Sequence, residues 1–142
     1  MQNMKKKPNR RLTRKLLLQA VYQWILTKQE YTELLEQFSD RFHGIDDIYF
    51  KQVLQDIILS HKNLLDEQQK YSDMNLPLQE IIVQAILFIS IYELKYRKEI
   101  PYRVVLNEAL ELSKEYGSEE SYKFVNGLLD KVAQELRLNE FK

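Results

Sequence analysis

The sequence predicts an all-α fold, a bundle of six to seven helices arranged as two subbundles, and three observations lead there. Apolar residues recur every three or four positions through most of the 142 residues, which is the helical period. Three glycines and three prolines are too few for the many tight turns of an all-β domain. The one strong hairpin signal, Asn126-Gly127, is flanked by Phe124, Val125, Leu128, Leu129 and Val132 at helical intervals, with no alternation on either side. Residues 1–9, "MQNMKKKPN", read as a flexible basic arm. Residues 10–142 read as one domain, its subbundles spanning about 10–70 and 77–138.

The first helix should run from about Arg10 to Lys28, with Leu12, Leu16, Leu17, Ala20, Val21 and Trp24 on an apolar face. Arg11, Arg14, Lys15, Leu18 and Tyr22 fall on the opposite side. A short helix follows from about Thr32 to Arg41. Asp46 or Asp47 then caps a longer one through "IYFKQVLQDIILSHKNLLDEQQ". "YSDMNLP" is the internal linker, and Pro77 opens a helix that reaches about Tyr96. Between Ile81 and Tyr92 only Gln84 and Ser90 interrupt the apolar residues, too short a run to span a bilayer, so this is the central buried helix. Glu93 and Arg97 stand one turn apart on it, as an ion pair would. "EIP" ends it, Pro101 starts the next helix, which stops before Gly117, and Ser118 caps the last one with Glu119 and Glu120 in its first turn.

Composition limits the function. At 44% apolar and 30% charged residues, the chain is an ordinary globular one. With no cysteine there are no disulfides, thiolate zinc sites or cysteine nucleophiles, which suits a cytoplasmic location. The two histidines, His43 and His61, share no ligand spacing with a carboxylate pair, and no phosphate-cradling glycine loop or nucleophile elbow occurs. The sequence therefore predicts no enzyme, no cofactor and no metal. The formal net charge of zero is unevenly spread: eight of 21 basic residues lie in the first 28 positions, and no acidic residue precedes Glu30. The remainder carries 13 basic and 21 acidic residues, a balance of −8. A basic head on an acidic body suits two different partners, and its sign suits phosphate.

Tyr22 and Gln19 lie beside the arginines, as an aromatic and an amide would beside phosphate grips on single-stranded RNA. By itself the patch equally fits DNA, an anionic membrane or a solvated face. In the last helix Lys123, Asn126 and Asp130 share one face and Phe124 an adjacent one, as base platform or as core. Gly127 sits inside a helix at a cost of about 1 kcal/mol relative to alanine. The expectation is that a neighbouring helix or RNA comes close to its backbone, so that Gly127→Leu disrupts packing or binding.

Three segments, "RRLTRKLLLQAVYQW", "IDDIYFKQVL" and "YELKYRKEIPYRVVLNEALELSKEYGSEESYKFVNGLLDK", strongly resemble the NusB family of bacterial transcription factors, across essentially the whole chain. The resemblance implies an all-α fold of two helical bundles and no catalysis. It implies binding of boxA RNA together with a small-subunit ribosomal protein, also called NusE, and assembly with RNA polymerase and other Nus factors to promote ribosomal RNA transcription. It places RNA binding on Arg10, Arg11 and Arg14, extended by Gln19 and Tyr22 and, from the basic patch, Lys15. A second RNA element falls on Glu120, Lys123, Phe124 and Asn126, with glutamate at 120 where the family commonly has aspartate. The ribosomal-protein surface falls on Tyr71 and the helix beginning near Leu78, with Val83, Gln84 and Phe88. "VQAILF" departs there from the charged "ERAILR" pattern. Phe88 is therefore either an exposed docking or homodimer residue or part of the core. Replacing Arg10, Arg11 and Arg14 with alanine should weaken RNA binding without unfolding the helix. Two alternatives are a NusB-like domain of a ribosomal RNA cytosine methyltransferase and a purely structural helical dimer.

Overall fold

The computed structural model describes residues 9–71 and 80–141. The basic arm up to Pro8 and the expected helix start at Pro77 lie outside the described residues. Helix α1 is Arg10–Thr27, opened by Asn9, whose side chain accepts from the Leu12 amide at 3.0 Å, and closed by Lys28 in the left-handed region. Helix α2 is Tyr31–Phe38, continued by a 3-10 turn Ser39–Arg41. Helix α3 is Asp47–Gln69, and of the two aspartates expected to cap it Asp46 does so, accepting from the Tyr49 amide at 3.0 Å. Helix α4 is Ile81–Tyr96, α5 is Tyr102–Tyr116, and α6 is Glu119–Leu136 with a final 3-10 turn Leu138–Phe141. No strand occurs among the described residues.

Helix α4 is the centre, as its composition predicts. Residues 85–94 are all buried, and α4 packs against α1, α3, α5 and α6. Ser118 forms a capping box with Ser121 at the start of α6, satisfying donors that a helix start leaves unpaired. Gly117 lets the chain turn between α5 and α6: a Cβ there would stand 3.0 Å from both the Ser113 carbonyl oxygen and the Ser121 Cβ.

Arg137, just past α6, enters the core with 4% of its surface exposed. Its guanidinium donates to the carbonyls of Leu94 (2.7 Å), Ile100 (2.7 Å), Glu93 (3.0 Å) and Arg97 (3.0 Å), and to the Glu140 carboxylate at 2.6 Å. These carbonyls lie at the end of α4 and in the turn after it, where a cation is favoured; those of Glu93 and Arg97 also accept from the Arg97 and Ile100 amides.

Several local expectations are corrected by packing. Leu18, placed on the polar side of α1, is 1% exposed because that side also meets Phe38 and Ile82, whereas Leu12 is 42% exposed. Val83 and Phe88 are buried, Phe88 with its ring 6.4 Å from that of Trp24, so neither offers a docking or dimer surface. Glu93 does not pair with Arg97; it takes Arg14 from α1, and Arg97 reaches Glu99 at 3.7 Å instead. At Gly127 an added Cβ would meet nothing within 4 Å, so no neighbouring helix requires this glycine.

Candidate nucleic-acid interface

The expected basic row of α1 divides into exposed and buried members. Arg11 is the most accessible, with 61% of its side chain exposed. It is held by two parallel bonds to Glu108 of α5, Nε to Oε1 at 3.1 Å and Nη2 to Oε2 at 2.7 Å. That carboxylate raises the Arg11 guanidinium still further above its ordinary value. One turn on, Lys15 reaches the Glu115 carboxylate at 3.1 Å. Arg10 pairs with Asp46 at 3.3 Å and lays its guanidinium 3.8 Å from the centre of the Tyr49 ring.

Arg14 is different: it is 4% exposed and is not a free phosphate grip. Its Nε donates to both oxygens of Glu93 at 3.1 and 3.0 Å, and the same carboxylate accepts from the Tyr49 hydroxyl. Burial first, and then the Glu93 charge, push the Tyr49 hydroxyl far above its usual range. An unpaired charge there would be costly, so the pair is complete within the fold. Arg14 instead fixes α1 on α4, which determines where Arg10 and Arg11 stand.

Gln19 and Tyr22 emerge farther along α1. Gln19 accepts from Arg41 at 3.2 Å, and Tyr22 is 38% exposed. Both line an apolar groove of about 330 Å³, with Leu26, Phe38, Ile82 and Tyr116 among its walls. On α6, Glu120, Lys123 and Asn126 are exposed, while Phe124 is half-buried against the core. The end of α5 lies between the two sets: Lys15 bonds to Glu115, and Lys114 sits 5.5 Å from the ring centre of Tyr122, the neighbour of Lys123. Tyr71 and Gln84 have partners within the chain, Tyr71 donating to Glu135 at 2.5 Å and Gln84 exchanging bonds with Gln68 at 2.8 and 3.2 Å. Burial and then the Glu135 bond push the Tyr71 hydroxyl up to about 12.

Sequence reasoning missed Arg41, Lys114, Tyr116, Glu108 and Glu115. The only signal for the glutamates was their spacing at 108, 111 and 115, which puts them on one helical face but equally describes a solvated exterior. His61 has its Nδ1 2.8 Å from the Ile58 carbonyl and its ring against Trp24, so it serves packing. Among the described residues no group of three His, Cys, Asp or Glu is placed to hold a metal ion, and no helix is long and apolar enough to cross a membrane. The surface offers fixed cations, amides and aromatic edges to a polyanion.

Comparison with known proteins agrees with the all-α fold. The NusB family model matches residues 11–134. The Transcription antitermination protein NusB of Psychromonas ingrahamii is 42% identical, the match covering 96% of this chain and 97% of that protein. The protein of the same name from Marinomonas sp. is 41% identical over 95% of this chain and 82% of its own length. The solved structure of T. maritima NusB superposes with a TM-score of 0.68 at 28% identity, covering 93% of this chain and 94% of that one. With the match running from the first basic helix to the last turns of α6, the chain belongs to the NusB family, a family of non-enzymatic transcription antitermination proteins.

Proposed function

We propose that the protein binds boxA RNA together with the small-subunit ribosomal protein NusE, and joins RNA polymerase and the other Nus factors in the cytoplasm to promote ribosomal RNA transcription. The observation that carries this reading is the row Arg10, Arg11 and Lys15 on α1, joined across the end of α5 to Lys123 and Asn126 on α6. Exposed cations on two helices supply phosphate contacts, which position a nucleic acid. Asn126, Gln19 and the Tyr22 ring supply amide and aromatic groups suited to unpaired bases. Two of the four residues expected to meet the ribosomal protein, Val83 and Phe88, are buried, which leaves Tyr71 and Gln84 for that partner.

The test is RNA binding measured with and without the ribosomal protein, using boxA RNA and a scrambled RNA of equal length. Arg10→Ala/Arg11→Ala should weaken boxA binding about tenfold or more while leaving the helical circular dichroism intact, and the wild type should prefer boxA. Equal binding to both RNAs would overturn the reading.

A further inference from the structure

Each cation of the candidate RNA surface on α1 already has a carboxylate partner in the fold. We propose that Glu108 and Glu115 on α5 are specificity-determining residues, holding Arg11 and Lys15 in competition with phosphate so that polyanions lacking base contacts are disfavoured. This inference rests on the RNA-binding reading above.

The geometry distinguishes this from incidental surface pairing. Glu108 is recessed, with only 12% of its side chain exposed, beneath an Arg11 side chain that is 61% exposed. Its two oxygens take the Nε and Nη2 of Arg11, and one lies 3.7 Å from Arg14 Nη1. A phosphate arriving from solvent therefore finds Arg11 with part of its donor fork engaged and a fixed negative charge a few ångströms behind it. The arrangement repeats one turn along α1 and two turns along α5, where Glu115 takes Lys15 at 3.1 Å, with Glu111 between the two glutamates. The row of anions on α5 follows the row of cations on α1, within a Debye length of any phosphate that binds there.

The consequence is an exchange in place of simple addition. Any bound phosphate is repelled by the carboxylate it displaces or crowds, and the penalty recurs at each contact. An RNA also held by its bases can bear that penalty, whereas a ligand held by phosphates alone cannot. Like-charge juxtaposition that rejects the wrong partner is a recognised source of specificity.

The experiment is a titration of wild type, Glu108→Gln and Glu115→Gln with boxA RNA, scrambled RNA and heparin. Glutamine keeps an oxygen that accepts from Arg11 or Lys15 and removes the charge. The expected result is a threefold to tenfold gain in affinity for scrambled RNA and heparin, a smaller gain for boxA, and hence a lower boxA-to-scrambled ratio. A purely structural role for the glutamates would instead lower affinity for all three. Unchanged or weaker binding of scrambled RNA and heparin, in variants whose urea midpoint matches wild type, would overturn the proposal. If Glu108→Gln is destabilised, Glu115→Gln decides the matter, because its pair lies at the surface. If wild type fails to distinguish boxA from scrambled RNA, the RNA reading fails, while the heparin arm still reads the competition at α5.

Discussion

Arg14→Ala removes a guanidinium that is 4% exposed from a carboxylate, Glu93, that is 1% exposed. In the wild type, Arg14 Nε donates to both Glu93 oxygens at 3.1 and 3.0 Å and the Tyr49 hydroxyl donates to the same group. In the variant the carboxylate keeps the hydroxyl and loses its cation. Breaking one side of a buried pair costs about 3–5 kcal/mol, a large part of the roughly 5–15 kcal/mol that holds a domain together. With a urea slope of about 2 kcal/mol per molar, the unfolding midpoint should fall by roughly 1.5–2.5 M. Trp24, the only tryptophan, is buried against His61 and Phe88, so its fluorescence reports the transition. Lys15→Ala, whose pair with Glu115 lies at the surface, should leave the midpoint within error of wild type. Arg14→Met/Tyr49→Phe/Glu93→Leu, which removes the whole polar group, should recover most of the loss. A shift below about 0.5 M for Arg14→Ala, equivalent to about 1 kcal/mol, would refute the reasoning and return Arg14 to the exposed row.

Gly127→Ala should stabilise the protein by about 1 kcal/mol, seen as a Tm raised by a few degrees, because its Cβ enters open space on a helix; a loss of stability would reveal a contact at that surface. Arg137→Ala should cost about 3 kcal/mol or more in urea unfolding, since the buried Leu94 and Ile100 carbonyls lose their guanidinium donor and those of Glu93 and Arg97 keep only a backbone amide, and Arg137→Lys should restore only part because an ammonium cannot span them. The Tyr92 hydroxyl is pushed up to about 12, by burial first and then by the bond it donates to Asp56 at 2.6 Å. A folded value above the unfolded value of about 10 gives stability that is complete below pH 10 and is lost as pH rises toward 12. Tyr92→Phe should therefore show a shallower loss of stability over that window, with one tyrosine fewer in the late part of an ultraviolet titration.

Helix starts were legible because their chemistry is local: Ser118 caps from its expected position, and Asp46 is one of the two aspartates expected to cap α3. Helix α4 was legible because a residue run apolar on all sides has nowhere to go but the centre. Arg14 was not, since its partner lies 79 positions away and no helical wheel displays it. Phe88 stayed undecided for the same reason: its face of α4 meets Trp24 on α1, a contact that only the assembled bundle creates. The candidate surface was half legible. Its cations stand out in the sequence, but the carboxylates that hold them lie on α5 and have no mark beyond helical spacing.

Arg137 has a further consequence for how the chain becomes cooperative. Its fork spans carbonyls from Glu93 to Ile100, so the end of α4 and the turn after it are completed by a residue beyond α6. Until the last helix docks, the Leu94 and Ile100 carbonyls face either water or an unfavourable void, whereas those of Glu93 and Arg97 already accept from the Arg97 and Ile100 amides. The C-terminal turns thus act as a latch on the centre of the molecule, and a chain lacking them would fray from the inside outward.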